Sequence, residues 1–248
     1  MGSWDWLQRY RRGEREKVWH ELRQLGATVS DAEAAGEAQA VCDEMALRAR
    51  HNVEVIIDRL TTQGFRFHTN DDAQDPVVPF HGSSSGAGAQ LRWLEERVGP
   101  VPMTVSSWLR LVGDVWLVGT HPRWEASAEA DPLVIEIEGL RWPGKSMQDY
   151  FAEEFEQWNE GVAEGESAGV FVLPVAPDRL HKANISGGPP YGFTLPDACA
   201  DALFLGEVAM PFVAYLNWVF QNGGFPGVSQ GNQQWQVKRS LSEGLLPL

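Results

Sequence analysis

The sequence predicts an α+β fold: a mostly antiparallel sheet with helices packed on it, preceded by an N-terminal helical hairpin. Two observations predict this class. Apolar residues recur every three or four positions through much of the first 64 residues, a spacing typical of amphipathic helices. Farther along the chain, short apolar and β-branched runs are bounded by Gly, Pro or Asp, which indicates strands. Because these runs do not alternate regularly with helical patterns, a doubly wound α/β sheet is not favoured.

Two helical patterns form the predicted hairpin. The first covers residues 4–25 and stops at Gly26, a residue type that commonly ends helices. The second carries an apolar residue at nearly every turn from Ala38 to Leu60. Because the connection is short, the two helices should be antiparallel neighbours, and their apolar stripe must be buried against another part of the molecule.

A polar segment separates the hairpin from the strand signals. Residues 71–88 read DDAQDPVVPFHGSSSGAG, and this Pro-, Gly- and Ser-rich composition indicates a linker. We therefore predict a hairpin at residues 1–68, a linker at 69–88 and an α+β domain at 89–248. Helices are predicted near residues 91–98, 104–112, 147–158 and 210–220, and strands near 115–118, 133–137, 170–173 and 191–195.

The negative charge of the chain is concentrated in its C-terminal part. The net charge is −14, of which residues 1–68 contribute −1 and residues 69–248 contribute −13. Residues 125–166 alone hold 12 acidic residues against Arg141 and Lys145. Such a field repels nucleic acids and anionic membranes and attracts cationic partners. The alternative is a solvated face that keeps the protein soluble.

The sequence shows no signal for a disulfide, a metal site, a membrane span or a signal peptide. Cys42 and Cys199 lie far apart without CxxC spacing, so buried thiols are expected rather than a disulfide or zinc site. The residues His121, His181, Asp131 and Asp178 show no metal-ligand spacing, so no metal or cofactor is predicted. The chain has no apolar stretch of membrane-spanning length, and its first residues lack the apolar run of a signal peptide. A cytoplasmic protein is expected.

One loop combines residue types that often carry chemistry. Residues 176–193 hold an acid, a His, a Lys, an Asn and Ser186 beside the pair Gly187 and Gly188. The spacing fits neither a phosphate-binding loop nor a nucleophile elbow. A structured loop that satisfies backbone groups is favoured, while a partner-binding loop and a catalytic loop stay open.

Five stretches in order carry a family resemblance. Residues 94–102 read LEERVGPVP and residues 106–113 read SSWLRLVG, which gives a helix with Glu near its end, a Gly and a Pro, and a second helix closing on Gly. DPL at 131–133, FVLP at 171–174 and FVAYL at 212–216 follow. Over roughly residues 90–220 the chain thus resembles the SUKH superfamily. The resemblance implies strands capped by helices, no catalytic residues and, for many bacterial members, an immunity protein that neutralises a toxin domain.

We therefore expect a non-enzymatic protein-binding module, an immunity or antitoxin-type inhibitor that binds a basic toxin domain and neither nucleic acid nor membrane. An adaptor or regulatory scaffold is the alternative, and a hydrolase using His181 with Asp178 or Ser186 is a third. Aromatic residues surrounded by acid suit basic partners. The residues predicted to contact the partner are Trp116, His121, Trp124, Asp131, Asp178, His181, Lys182, Asn184 and Tyr191.

Overall fold

The computed structural model describes residues 4–142, 144, 146–165, 169–228 and 231–248. The N-terminal region contains α1 (Trp6–Arg11), α2 (Arg15–Leu25) and α3 (Ala32–Thr62), with a 3-10 helix at Gly26–Ser30. Residues 4–25 therefore form two helices, and the single helix predicted there is wrong. The break falls at Gly13, whose φ of 106° is outside the helical region and is readily adopted by glycine.

The rest of the chain alternates short strands and helices. In order these are β1 (Arg66–Phe67), β2 (Phe80–Gly82), α4 (Ala87–Val98), α5 (Met103–Leu111), β3 (Gly113–Trp116), β4 (Gly119–Thr120), a 3-10 helix (Glu125–Ala130), β5 (Val134–Ile135), α6 (Met147–Glu164), β6 (Phe171–Ala176), α7 (Arg179–Lys182), β7 (Tyr191–Leu195), β8 (Leu203–Leu205), β9 (Ala209–Pro211), α8 (Phe212–Gln221) and α9 (Asn232–Ser242). The α+β class is confirmed.

The strands pair in antiparallel fashion throughout the described residues. The larger sheet has the order β6-β7-β8-β9, a second has the order β2-β3-β5, and β1 pairs with β4. The β6-β7 register shifts between Pro174 and Ala176. The intervening Val175 carbonyl accepts a hydrogen bond from the backbone N–H of Glu136, 2.9 Å away. This bond connects the segment after β5 to β6, so the two larger sheets are neighbours.

The long helix α3 supplies much of the core. Its predicted apolar stripe is confirmed, because these side chains are completely buried: Ala38, Val41, Met45, Ala49, Val53, Ile56 and Leu60. The helix packs on α5, α1 and α9. Its Asn52 side chain donates to the carbonyl of Leu246 and accepts from the Leu246 N–H, both at 2.8 Å. From α2, Arg23 donates twice to the buried Asp201 carboxylate, at 2.9 and 2.7 Å.

The segment predicted as a linker is partly structured. Phe80–Gly82 form β2 and pair with β3, and α4 already begins at Ala87. The division at residues 69–88 stays a prediction, although buried apolar residues on its two sides belong to one continuous cluster. The predicted helix at 210–220 begins at Phe212, because the three preceding residues form β9. None of the described helices combines the length and apolar character needed to cross a membrane.

Candidate functional site

Residues 177–190 connect β6 to β7 and are called the 177–190 loop below. Asp178 begins α7 as its N-cap, and its Oδ1 accepts from the backbone N–H groups of Leu180 at 2.8 Å and His181 at 3.4 Å. Its Oδ2 forms a hydrogen bond with His181 Nδ1. Burial raises the pKa of Asp178, but hydrogen bonds from His181 and the backbone outweigh this, so the pKa lies below its usual value.

The loop lies directly on the Asp178 carboxylate. A Cβ atom placed on Gly187 would come within 2.3 Å of Asp178 Oδ1, a separation that no side chain tolerates. The neighbouring Gly188 has open space around the same position. The first glycine is therefore required for close approach of the backbone, whereas the second is not.

A buried ion pair joins the loop to another segment of the chain. Lys182 Nζ donates to Asp131 Oδ1 at 2.6 Å, and both side chains are buried. The ammonium group also lies 4.7 Å from the centre of the Tyr191 ring, and the Tyr191 hydroxyl accepts from the Arg179 N–H at 3.2 Å. Burial lowers the pKa of Lys182, and the Asp131 carboxylate opposes that shift. The pair thus fixes α7 to the segment before β5.

Two cavities meet at the 177–190 loop. The first, called the outer groove, has a volume of about 840 Å³ and lies between α6, β6 and the loop. Arg179 and Glu207 form an ion pair in its wall. The groove is wide and has both polar and apolar walls, which include Glu154, Trp158, Val170, Asp178, Tyr191 and Leu205.

The second cavity, called the aromatic pocket, has a volume of about 480 Å³ and lies on the other side of the loop. Its walls are mainly apolar, and they include Trp116, Trp142, Met147, Tyr150, Pro177 and Pro190. The carboxylates of Glu136 and Asp178, the imidazole of His181 and the phenol of Tyr150 are its ionisable groups among the described residues. Pro174, Asp178, Gly188 and Pro190 line both cavities, so the loop is a shared wall.

Arg141 supports one wall of the aromatic pocket. Its guanidinium carbon lies 3.5 Å from the centre of the Trp116 ring and 4.1 Å from that of Trp142. It donates to both carboxylate oxygens of Glu136, at 2.9 and 2.8 Å. Burial raises the pKa of Glu136, although the guanidinium opposes this. A bidentate pair that also stacks on two indoles holds the rings in fixed positions.

The acidic residues of the 125–166 block divide into two groups. Asp131 and Glu136 are buried in ion pairs, and Glu138 accepts from the backbone and hydroxyl of Ser84. These three carboxylates are bonded to other residues of the fold and are not part of an acidic face. The exposed group consists of Glu125 and Glu129 on the 3-10 helix and of residues on α6. Lys145 and Glu166 lie outside the described residues.

Helix α6 carries five of its six acidic residues on one face, while the sixth, Glu154, is half-buried in the wall of the outer groove. Ser146 is the N-cap, and its Oγ accepts from the Asp149 N–H at 3.2 Å. Phe155 and Trp158 pack on Phe171 of β6. The opposite face has exposed carboxylates three or four residues apart, which are called the α6 stripe: Asp149, Glu153, Glu156, Glu160 and Glu164. Arg97 pairs with Glu156, and the other four have no ion pair within the described part of the chain.

The structure places four of the nine predicted partner-binding residues in the walls of the two cavities. Trp116, Asp178 and His181 line the aromatic pocket, and Tyr191 lines the outer groove. Asn184 is exposed and donates to Asp72 Oδ1 at 2.7 Å. The loop is thus both structured and accessible, and whether it contacts a partner stays a prediction.

Other predicted residues lie inside the protein. Lys182 and Asp131 form the buried pair described above. His121 is buried, with Nε2 3.1 Å from Gln63 Oε1, and Trp124 packs on Phe225 with ring centres 5.4 Å apart. Core packing accounts for these buried side chains, although Trp124 also lines a third cavity of about 320 Å³. Whether any of them contacts a partner stays a prediction. Arg141, Trp142 and Tyr150 at the pocket were not among the predicted residues, although all three lie in the acidic block.

The hydrolase alternative meets only part of its geometric requirement. Asp178 and His181 do converge in a concave pocket, as a base and its orienting carboxylate would. However, Ser186 is exposed, and no described hydroxyl or thiol group forms a hydrogen bond with His181. The described residues also contain no group of three or more His, Cys, Asp or Glu side chains placed to hold a metal ion.

Comparisons of the chain with protein-family models, curated proteins and solved structures found no match. The resemblance to the SUKH superfamily therefore stays a prediction.

Proposed function

We propose that this protein is a stoichiometric, non-enzymatic binding protein of the immunity or antitoxin type, whose acidic surface binds a cationic toxin domain. The observation that carries the proposal is the α6 stripe. It presents five exposed carboxylates on one helix face. Of these five, Glu156 alone has an ion-pair partner among the described residues. A basic partner surface would supply the missing counter-charges.

Repulsion between the carboxylates of the α6 stripe destabilises helix α6. Like charges at helical spacing destabilise a helix by about 0.2 to 0.5 kcal/mol per pair. Helix α6 contains no Lys, Arg or His that could relieve this repulsion from within the helix. Its packing depends on the apolar face, whose Phe155 and Trp158 contact β6. A bound cationic surface would remove the repulsion and also steer the encounter, raising the association rate at low salt.

Charge reversal on the stripe tests this proposal. The test variant carries Glu153→Lys, Glu160→Lys and Glu164→Lys. A matched control carries Glu16→Lys, Asp58→Lys and Glu95→Lys, which reverse three exposed acids on α2, α3 and α4 without a described ion pair. Both variants change the net charge by the same amount, so only the position of the charge differs.

Tagged wild type and both variants are used to capture proteins from native lysate at low and high salt, and each captured protein is then purified. We expect the wild type and the control to retain a basic toxin-like protein that the stripe variant loses. Its association rate with the wild type should fall at least tenfold between 20 and 300 mM salt, an order of magnitude typical of steered complexes. Equal loss in both variants, or a salt-independent rate, would contradict the proposal.

A further inference from the structure

We propose that the aromatic pocket receives one donor-bearing aromatic side chain, a tryptophan or tyrosine, from a basic segment of the partner protein. This inference rests on the proposed function and adds to it the residue that anchors the complex. The α6 stripe attracts the partner, whereas the pocket holds it.

The pocket walls select a ring. Trp116, Trp142, Tyr150 and the prolines of the 177–190 loop leave an opening of about 480 Å³ with mainly apolar walls. Aromatic side chains pack on such rings in stacked or edge-to-face geometry. A lone cation would fit less well, because Arg141 already stands behind Trp116 and Trp142 and neutralises Glu136. Placing a second guanidinium beside the first would also leave it poorly solvated.

The polar groups of the pocket favour a ring that donates. Glu136 and Asp178 present carboxylate oxygens among the lining residues. The Glu136 oxygens are occupied by Arg141, but Asp178 Oδ2 has one described side-chain contact, with His181, and a carboxylate oxygen can accept two hydrogen bonds. An indole N–H or phenol O–H entering between the rings would find its acceptor there, whereas a phenylalanine brings no donor. Tryptophan and tyrosine are also the residues most enriched among interface anchors, where they fill preformed pockets.

The position of the pocket predicts the basic flanks. Tyr150 is 37% exposed at its edge, and Asp149 and Glu153 of the α6 stripe flank it on the same helix. One helical turn rises about 5.4 Å, so a residue next to the inserted ring reaches these carboxylates. A partner segment with Lys or Arg beside its aromatic residue therefore complements the pocket and the stripe together.

Short peptides test the pocket without the natural partner. The probes are acetyl-Lys-Gly-X-Gly-Lys-amide peptides in which X is Trp, Tyr, Phe, Arg or Ala. They are titrated into the full-length ¹⁵N-labelled protein, and the indole N–H resonances of Trp116 and Trp142 are followed by NMR. The variants are Tyr150→Ala at the pocket and Trp235→Ala on α9, where Trp235 is 55% exposed and away from the pocket.

We expect the Trp and Tyr peptides to bind at least tenfold more tightly than the Ala and Arg peptides and to shift the Trp116 and Trp142 indole resonances. Phe should fall between them. Tyr150→Ala should weaken the Trp peptide at least fivefold while keeping a dispersed spectrum, and Trp235→Ala should bind as the wild type does. Equal binding of all five peptides, preference for Arg, or equal effects of the two variants would overturn the inference. Because toxin capture is a separate measurement, failure of peptide binding leaves the charge-based function standing. Failure of toxin capture would instead overturn the proposed function, whatever the peptides do.

Discussion

The ammonium group of Lys182 lies 2.6 Å from the Asp131 carboxylate, and neither side chain is accessible to solvent. A buried pair of this kind contributes little net stability compared with apolar side chains, but removal of one partner leaves an uncompensated charge in the core. We expect Lys182→Met or Asp131→Asn alone to lower the free energy of unfolding by about 3 to 5 kcal/mol. Urea denaturation measures this change.

The double variant Lys182→Met with Asp131→Asn should recover much of that loss, because it buries no charge and asparagine tolerates the left-handed backbone at position 131, where φ is 56°. As a control, Glu54→Gln removes an exposed i, i+4 pair with Arg50 and should change stability by less than about 0.5 kcal/mol. Additive losses in the double variant would show that the two charges do not compensate each other.

The contact between Gly187 and Asp178 gives a second prediction. Gly187→Ala would place a methyl group 2.3 Å from Asp178 Oδ1, so the loop must shift or the Asp178 cap must break. Loss of a helix cap costs about 1 kcal/mol, and we expect at least that in urea denaturation, with chemical-shift changes at Trp116 and Trp142. Gly188→Ala has open space and should be nearly neutral. Similar effects of both substitutions would contradict the contact.

Lys238 gives a pH-dependent prediction. Burial lowers its pKa to about 8, below the 10.4 of an exposed lysine. Between these two values the unfolded chain binds more protons than the folded protein, so stability should rise as the pH increases from 8 towards 10. Relative to Lys238→Met, we expect the wild type to gain on the order of 1 kcal/mol between pH 7.5 and 9.5. Parallel stability curves for the two proteins would show that Lys238 is not responsible.

Deletion of residues 1–68 tests whether the N-terminal hairpin is independent. The deletion uncovers the face of α5 on which α3 packs and removes Arg23 from the buried Asp201 carboxylate. Burial raises the pKa of Asp201, and Arg23 opposes that shift. We expect residues 69–248 alone to lose cooperative unfolding and near-UV circular dichroism. A folded fragment with a dispersed NMR spectrum would instead support the adaptor alternative.

The sequence predicted the elements whose signal repeats over many residues. Helix α3 is the clearest case, because an apolar residue at almost every turn from Ala38 to Leu60 has no strand-like interpretation. The strands β8 and β9 were not predicted, because each has three residues and neither offers a full alternation pattern. The break at Gly13 was missed because single glycines also occur inside helices.

The candidate site was only partly predictable, because charge pairing depends on residues distant in sequence. Asp131 meets Lys182, 51 positions later, and Glu138 meets Ser84, 54 positions earlier. The 12 acidic residues of 125–166 suggested a charged surface, but Asp131 and Glu138 are bonded within the fold. By contrast, the cap formed by Asp178 and His181 is local, and the sequence placed both in one candidate loop.

The bonds between Asn52 and Leu246 join positions 194 residues apart. Bringing such distant segments together costs chain entropy before their contacts can form, and contact order of this kind correlates with slow folding. Although α3 is a long helix with a strong local pattern, its Asn52 side chain finds its partner only when residue Leu246, near the end of the chain, packs against the helix. Refolding should therefore be limited by long-range closure, and not by helix formation, which takes microseconds.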